Sequence, residues 1–414
     1  MKKNAIFAAA LTTALLELSS APARAQTSPA QATPTPAPAP AAAAAPAPEA
    51  APAAPPASPV SMPPMSGTLS ANSKPTKIDA GPLGDLYVTG VLSGIALWQN
   101  NVLPGDEDSR VDVTNGQVVV QKVDGPIQFL AEGGAYSFPT VGTAYTRAGK
   151  TTGETFGGLP VWFVKYAPND SISVLAGNLP TLIGAEYGFT FQNVNIQRGM
   201  IWNQENIINR GVQGNYTVGP LALSLAWSDG YFSNRYSWVT GSATYTINPA
   251  NTLAFSAGGS VNTETVSSFV TPLLQNNQTI YNFVFTHTEG PWTFIPTIQY
   301  TNVPSNTQLG TTHSLSTTGG AMYVTYAFDG GYSLAGRGEY ISSNGNAGDP
   351  TLLYGPSSKA WSFTITPTYQ NKLFFARAEF SYVKATDTTP GFVFGNNGNN
   401  TSQTRLMLES GIIF

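Results

Sequence analysis

The charged residues of this chain are few, and several are spaced so that they share one side of an extended segment. Arg337 and Glu339 lie two apart, as do Arg377 and Glu379. Along 332–340 they alternate with Tyr332, Leu334, Gly336, Gly338 and Tyr340; along 374–382 with Phe374, Ala376, Ala378, Phe380 and Tyr382. The same alternation puts Glu132, Lys165, Arg405 and Glu409 on the non-aromatic side of their segments. A second group, Glu186, Arg198, Glu205 and Arg210, falls in the stretch 179–210. Opposed Arg and Glu side chains around a wet passage would set a transverse field and a size limit. They would equally hold a wall together as cross-strand pairs, with Arg337–Glu339 and Arg377–Glu379 as the expected couples. Other chemistry is poorly supplied. There is no cysteine, the two histidines (His287 and His313) are far apart, and no nucleophile elbow is present. A non-enzyme with no metal and no cofactor is expected.

The elements that carry these residues must be strands. Val239, Gly241, Ala243, Tyr245 and Ile247 alternate with Thr240, Ser242, Thr244 and Thr246. Residues 252–261 and 361–370 repeat the pattern, which is the period-two signature of a strand between two environments. Aromatics such as Trp292, Tyr300, Trp361 and Tyr369 sit near the ends of the apolar faces, as girdles at two lipid interfaces would. Only 10% of residues are charged, against about 25% in soluble domains. A charge on a lipid face costs about 2–4 kcal/mol at mid-depth, so the charged side of each strand is assigned to the lumen.

Turn signals set the strand number. Tight connections stand at 124–126, 168–170, 219–220, 248–251, 290–291, 330–331 and 371–372, and between them lie longer Asn-, Gly-, Ser- and Thr-rich stretches. Seven hairpins, an opening strand near 86–98 and a closing strand near 404–414 predict a closed antiparallel transmembrane β-barrel of about 16 strands. The segment 116–123 alternates worst; without it the number would be 14. The long stretch 179–210 is expected to fold into the lumen and narrow it. In the closing strand Leu406, Leu408, Ile412 and Phe414 share one face, as in the terminal signal read by the barrel assembly machinery; Ser410 departs from it.

The N-terminal part differs in kind. Lys2 and Lys3, the apolar run 5–16 and Ala23-Arg24-Ala25 have the layout of a secretory signal peptide over 1–25. Residues 27–66 contain 13 Pro and 15 Ala in 40 positions, too many prolines for helix or sheet to propagate. Residues 26–80 are accordingly expected as a disordered periplasmic spacer, with the barrel over 81–414. The formal net charge of −4 argues against nucleic acid as a partner.

Several longer words point further. Gly177-Asn178-Leu179-Pro180 through Ala185-Glu186, Phe191-Gln192-Asn193, Asn195-Ile196-Gln197-Arg198-Gly199, Trp202-Asn203-Gln204-Glu205 and Arg210-Gly211 form one block. With Gly134-Ala135-Tyr136-Ser137-Phe138-Pro139, Ser228-Asp229-Gly230-Tyr231-Phe232, Leu353-Tyr354-Gly355-Pro356 and the closing strand, this block resembles the OmpL-like β-barrel porin family over most of 84–414. The resemblance implies an outer-membrane channel for passive diffusion of small polar solutes or ions, bathed by outer-membrane lipids. A structural or adhesive barrel with a closed lumen is the alternative. Monomer and homotrimer both remain open.

Overall fold

The computed structural model describes residues 65–414; the expected signal peptide and most of the Pro/Ala-rich segment lie outside the described residues. Seventeen strands appear. They are β1 (Thr76–Asp79), β2 (Asp85–Gln99), β3 (Ser109–Lys122), β4 (Ile127–Tyr136), β5 (Val161–Tyr166), β6 (Ile172–Pro180), β7 (Ile208–Val218), β8 (Leu221–Ser228) and β9 (Trp238–Asn248). There follow β10 (Asn251–Ser260), β11 (Thr279–Glu289), β12 (Trp292–Val303), β13 (Leu315–Ala327), β14 (Tyr332–Ser343), β15 (Lys359–Asn371), β16 (Phe374–Thr386) and β17 (Ser402–Ile413). One short helix, α1 (Ala148–Glu154), lies in the β4–β5 connection.

From β2 onward every strand pairs antiparallel with the next, and β17 returns to β2 with Arg405 opposite Gln99 and Ile413 opposite Val91. The result is a closed cylinder of 16 strands. All seven expected hairpins fall where the turn residues placed them. Gly219 and Gly290 reach φ +53° and +55° ahead of a proline, a region open to glycine at little cost. The doubtful segment 116–123 belongs to β3, which pairs with β2 over Ser109–Gln121 and with β4 over Asn115–Lys122.

Alternation holds around the wall. In β15, Trp361 and Phe363 are exposed while Ser362 and Thr364 are buried. Exposed aromatics gather into two bands. Trp292 packs on Tyr326 (4.6 Å) and Tyr332 on Tyr369 (4.7 Å) near the short turns, whereas Trp361 meets Tyr382 (5.4 Å) and Trp227 meets Tyr236 (6.1 Å) near the long connections. Among the described residues no helix is long and apolar enough to cross a membrane; the strands supply the crossing.

One expectation is corrected. The spacer was expected to extend to residue 80, yet 65–80 is built into the barrel. β1 pairs with the lower end of β2, Thr76 opposite Val88 and Asp79 opposite Asp85. This continues the line of β17, whose Phe414 exchanges backbone hydrogen bonds with Gly90 (2.8 and 2.9 Å). Residues 65–72 then run inside the cylinder. The composition changes at Gly67, where the prolines thin out, and the chain regains donors to pair.

Candidate functional site: a loop held across the lumen

The β6–β7 connection turns inward. Residues 189–202 are all buried, and each end of the segment is tied to the wall. The wall charges do the tying. The Arg337 guanidinium donates from Nη1 to Glu186 Oε1 (2.7 Å) and to the Gln197 carbonyl (2.7 Å), and pairs through Nε with Glu339 (3.2 Å). Glu186 also accepts from the Gly199 amide (2.8 Å) and from the Tyr323 hydroxyl (3.0 Å). Gly199 is required here, because a Cβ would land inside the Glu339 carboxylate.

Glu379 receives the Ile196 amide, the Gln197 amide (3.0 Å), the Gln197 side chain (2.9 Å) and the Thr366 hydroxyl (2.7 Å). Arg377 therefore does not pair with Glu379 as expected. It stands directly opposite Glu409 in the β16–β17 register and pairs there, with Nε at 3.0 Å. The direct cross-strand neighbour is closer than the residue two positions along the same strand. The remaining Arg377 donors reach the Asn193 and Thr190 carbonyls (3.1 and 3.0 Å), and Glu409 accepts from Thr190 Oγ1 (2.7 Å). Arg405 donates to Gln99, Gln197 and the carbonyls of Thr140 and Thr143, pulling in the β4–β5 connection as well.

On the far side the loop reaches a different part of the wall. The Gln204 carbonyl accepts from the Tyr231 hydroxyl (2.7 Å) and from Gln278 Nε2 (2.6 Å), while Gln299 Nε2 donates to the Ile201 carbonyl (2.7 Å). Trp238 Nε1 donates to the Asn276 carbonyl (2.9 Å) and packs on Tyr231. The segment thus spans the lumen at mid-height.

Other residues singled out in the sequence sit differently. Arg198 is fully buried, with its guanidinium over the rings of Trp202 (5.0 Å) and Phe138 (5.4 Å), and none of its side-chain nitrogens has a hydrogen-bond acceptor among the described residues. The Glu205 carboxylate is buried against Gly184, and its Oε2 likewise has no donor. Burial first, and then the charges of Glu186 and Glu339, push its pKa well above the usual carboxylate range. Glu132 accepts from Gln117 Nε2 (3.2 Å) and borders a cavity of about 30 Å3 shared with Val161, Pro180 and Gln192, room for one water. Lys165 is half-buried on the inner face of β5, near the short-turn end. Arg210 is a correction. It leaves the group, held by Asp229 (2.7 Å) and by the Phe232 carbonyl and ring of the β8–β9 connection. The carboxylate nearest it in space won, and nothing in the spacing of 179–210 signalled Asp229.

Sequence reasoning also missed a polar lining on the opposite wall. Ser173, Gln213, Asn215 and Ser224 form a hydrogen-bonded cluster on the inner faces of β6 to β8, with Ser242 and Thr244 beside them on β9. All are half-exposed and uncharged. Their Ser/Thr/Asn alternation was visible in the sequence, but it resembles that of any wet strand face.

Solved structures share the fold. The anion-selective porin from Comamonas acidovorans superposes with a TM-score of 0.55 at 12% identity, over 80% of this chain and 99% of that one. The outer membrane channel DcaP of Acinetobacter baumannii gives 0.53 at 12%, over 80% and 97%. The trimer form of OmpT, an outer membrane protein of Vibrio cholerae, gives 0.51 at 10%, over 80% and 99%. A comparison with curated proteins finds no match. The model of one family, "Putative beta-barrel porin-2, OmpL-like", matches residues 85–414, the whole cylinder; the chain belongs to that family and is an outer-membrane porin barrel.

Proposed function

We propose that this barrel is a narrow passive channel for small hydrophilic solutes, with the β6–β7 connection as its constriction. The observation that carries the reading is the bridge just described, in which Arg337, Arg377, Glu379, Arg405 and Glu409 hold a long segment at mid-height. A loop that merely capped the mouth would not engage charges on the inner wall. Solutes meet the half-exposed Ser, Thr, Asn and Gln side chains of β6 to β9 from the short-turn side. They then pass the level of Thr240, Ser256 and Asn282, which are buried.

Arg198 supplies the selectivity. Arg337, Arg377 and Arg405 are each bonded to carboxylate or carbonyl oxygens, whereas Arg198 has no acceptor among the described residues, and its uncompensated charge favours anions at the constriction. Planar-bilayer recording of the purified protein tests both parts. Small conductance steps with an anion-biased reversal potential are expected, and the bias should fall in Arg198→Gln. Deleting 186–200 should enlarge the steps; unchanged steps in a folded barrel would remove the constriction.

The placement follows the family. Insertion by the barrel assembly machinery through Leu406, Leu408, Ile412 and Phe414, a secretory signal over 1–25, a spacer beginning in the periplasm at 26 and a homotrimeric state belong to the same reading. The trimer draws on the OmpT form named above, and light scattering of the detergent complex checks it. Absence of enzymatic activity is expected of variants and wild type alike, His287 and His313 included.

A further inference from the structure

We propose that residues 65–72 are a strap that plugs the short-turn half of the lumen, and that full conduction requires it to leave. This rests on reading the barrel as a channel. The strap comes off β1 and climbs the inner wall beside β15. The Ser70 amide donates to Gln370 Oε1 (2.7 Å), and Gln370 Nε2 donates back to the Ser70 carbonyl (2.8 Å). Two residues further up, the Thr68 hydroxyl meets that of Thr368 (3.2 Å), and the Ser66 amide donates to the Gln192 carbonyl of the crossing loop (2.8 Å). Gly67 lies so flat on the Asn193 backbone that a Cβ has no room. The strap is therefore fitted to both the wall and the constriction.

The wall beneath it supplies an independent argument. Val91, Val119, Phe375 and Ile413 point into the cylinder, where a water-filled passage would ask for polar groups, and they form one buried cluster with Leu69 of the strap. Apolar side chains on the wet side of a barrel are unfavourable unless something covers them. Leu69 covers them together with Phe189 and Phe191 of the crossing loop, and Met65 and Ala71 pack alongside. The hold is nonetheless light. Beside the Leu69 packing it consists of a few hydrogen bonds to side chains and to the Gln192 carbonyl, with no ion pair among the described residues, and Ser70 and Gln370 meet at an exposed position. A segment held in this way can detach without disturbing the ladder of the barrel.

The chain has no cysteine, so a single engineered pair can lock the strap. Thr68→Cys with Thr368→Cys joins two side chains whose hydroxyls already touch. In planar bilayers the oxidised form should stay at its lowest conductance, and reductant added to the same channel should restore brief larger openings. A second variant lacking 65–72, confirmed as folded by heat-modifiable migration, should stay open with severalfold higher mean conductance. If oxidised, reduced and strap-deleted channels conduct alike, the strap is not a plug and the channel reading survives. If none conducts, the deleted form included, the channel reading falls and takes the strap with it.

Discussion

Two arcs of the same wall face the lumen with different chemistry. From β12 through β17 and on to β4, the inner face carries Arg337, Glu339, Arg377, Glu379, Arg405, Glu409 and Glu132, all buried and nearly all bonded to the crossing loop or to each other. From β5 to β11 the polar side chains of the inner face are mainly hydroxyls and amides, half-exposed near the short turns, with Lys165 as its charge. In this barrel, then, most lumen charge is scaffolding, and the surface left for solutes is largely neutral. The difference follows from cost. A buried charge is costly unless it is paired, so the wall charges gather where a polypeptide lies against them, whereas hydroxyls tolerate either water or protein.

The contrast can be broken most severely at Arg337. Arg337→Ala strands Glu186 and Glu339 in the interior, and removing one partner of a buried pair costs about 3–5 kcal/mol. The urea midpoint in detergent should fall and the conductance should rise as the loop loosens. Retained stability with unchanged conductance would make the charged arc ornamental.

Gly199→Ala is the next test. Its methyl must displace the Glu339 carboxylate, a cost of about 1–3 kcal/mol for an overpacked site, seen as a lower unfolding midpoint. The effect should be much smaller when Glu339→Gly is combined with it.

Glu205 sharpens the same contrast through pH. Its carboxyl is held above the ordinary range in the folded barrel, so the folded state binds the proton more readily than the unfolded chain. Stability linked to this group is present at low pH and is lost as pH rises above the unfolded value towards the folded one. Glu205→Gln should therefore flatten the fall of melting temperature with rising pH, with the loop-bridging hydrogen bonds of Gln204 intact. A wild-type profile identical to that of the variant would contradict the burial assigned to this carboxyl.

The smallest effect on stability is expected on the neutral arc. Thr244→Asp, on a half-exposed inner position of β9, should change stability by less than about 0.5 kcal/mol yet shift the reversal potential towards cations. No shift would place the solute path elsewhere.

Strand number and facing were legible because lipid and water impose a strict period of two, and because glycine, proline and asparagine mark the turns. The inward course of 179–210 was legible only as an unusually long polar stretch between strands that themselves carry lumen charges. The partners were not. Arg377 pairs with Glu409 because register across β16 and β17 sets them side by side, and no local spacing encodes that distance of 32 positions. Val119 made its segment look like a poor strand because it breaks the polar pattern of an inner face; the cover supplied by Leu69 explains it. The stretch 65–80 was hidden because its neighbours in sequence, rich in proline, dominate any window that contains it.

The stub formed by Thr76–Asp79 has one more consequence. Below Phe414 the flank of β2 would otherwise present bare amides and carbonyls at the rim of the cylinder, an invitation to any extended polypeptide passing by. By lying there first, four residues turn a vacant ladder on β2 into an occupied one and leave only their own short outer edge at the rim.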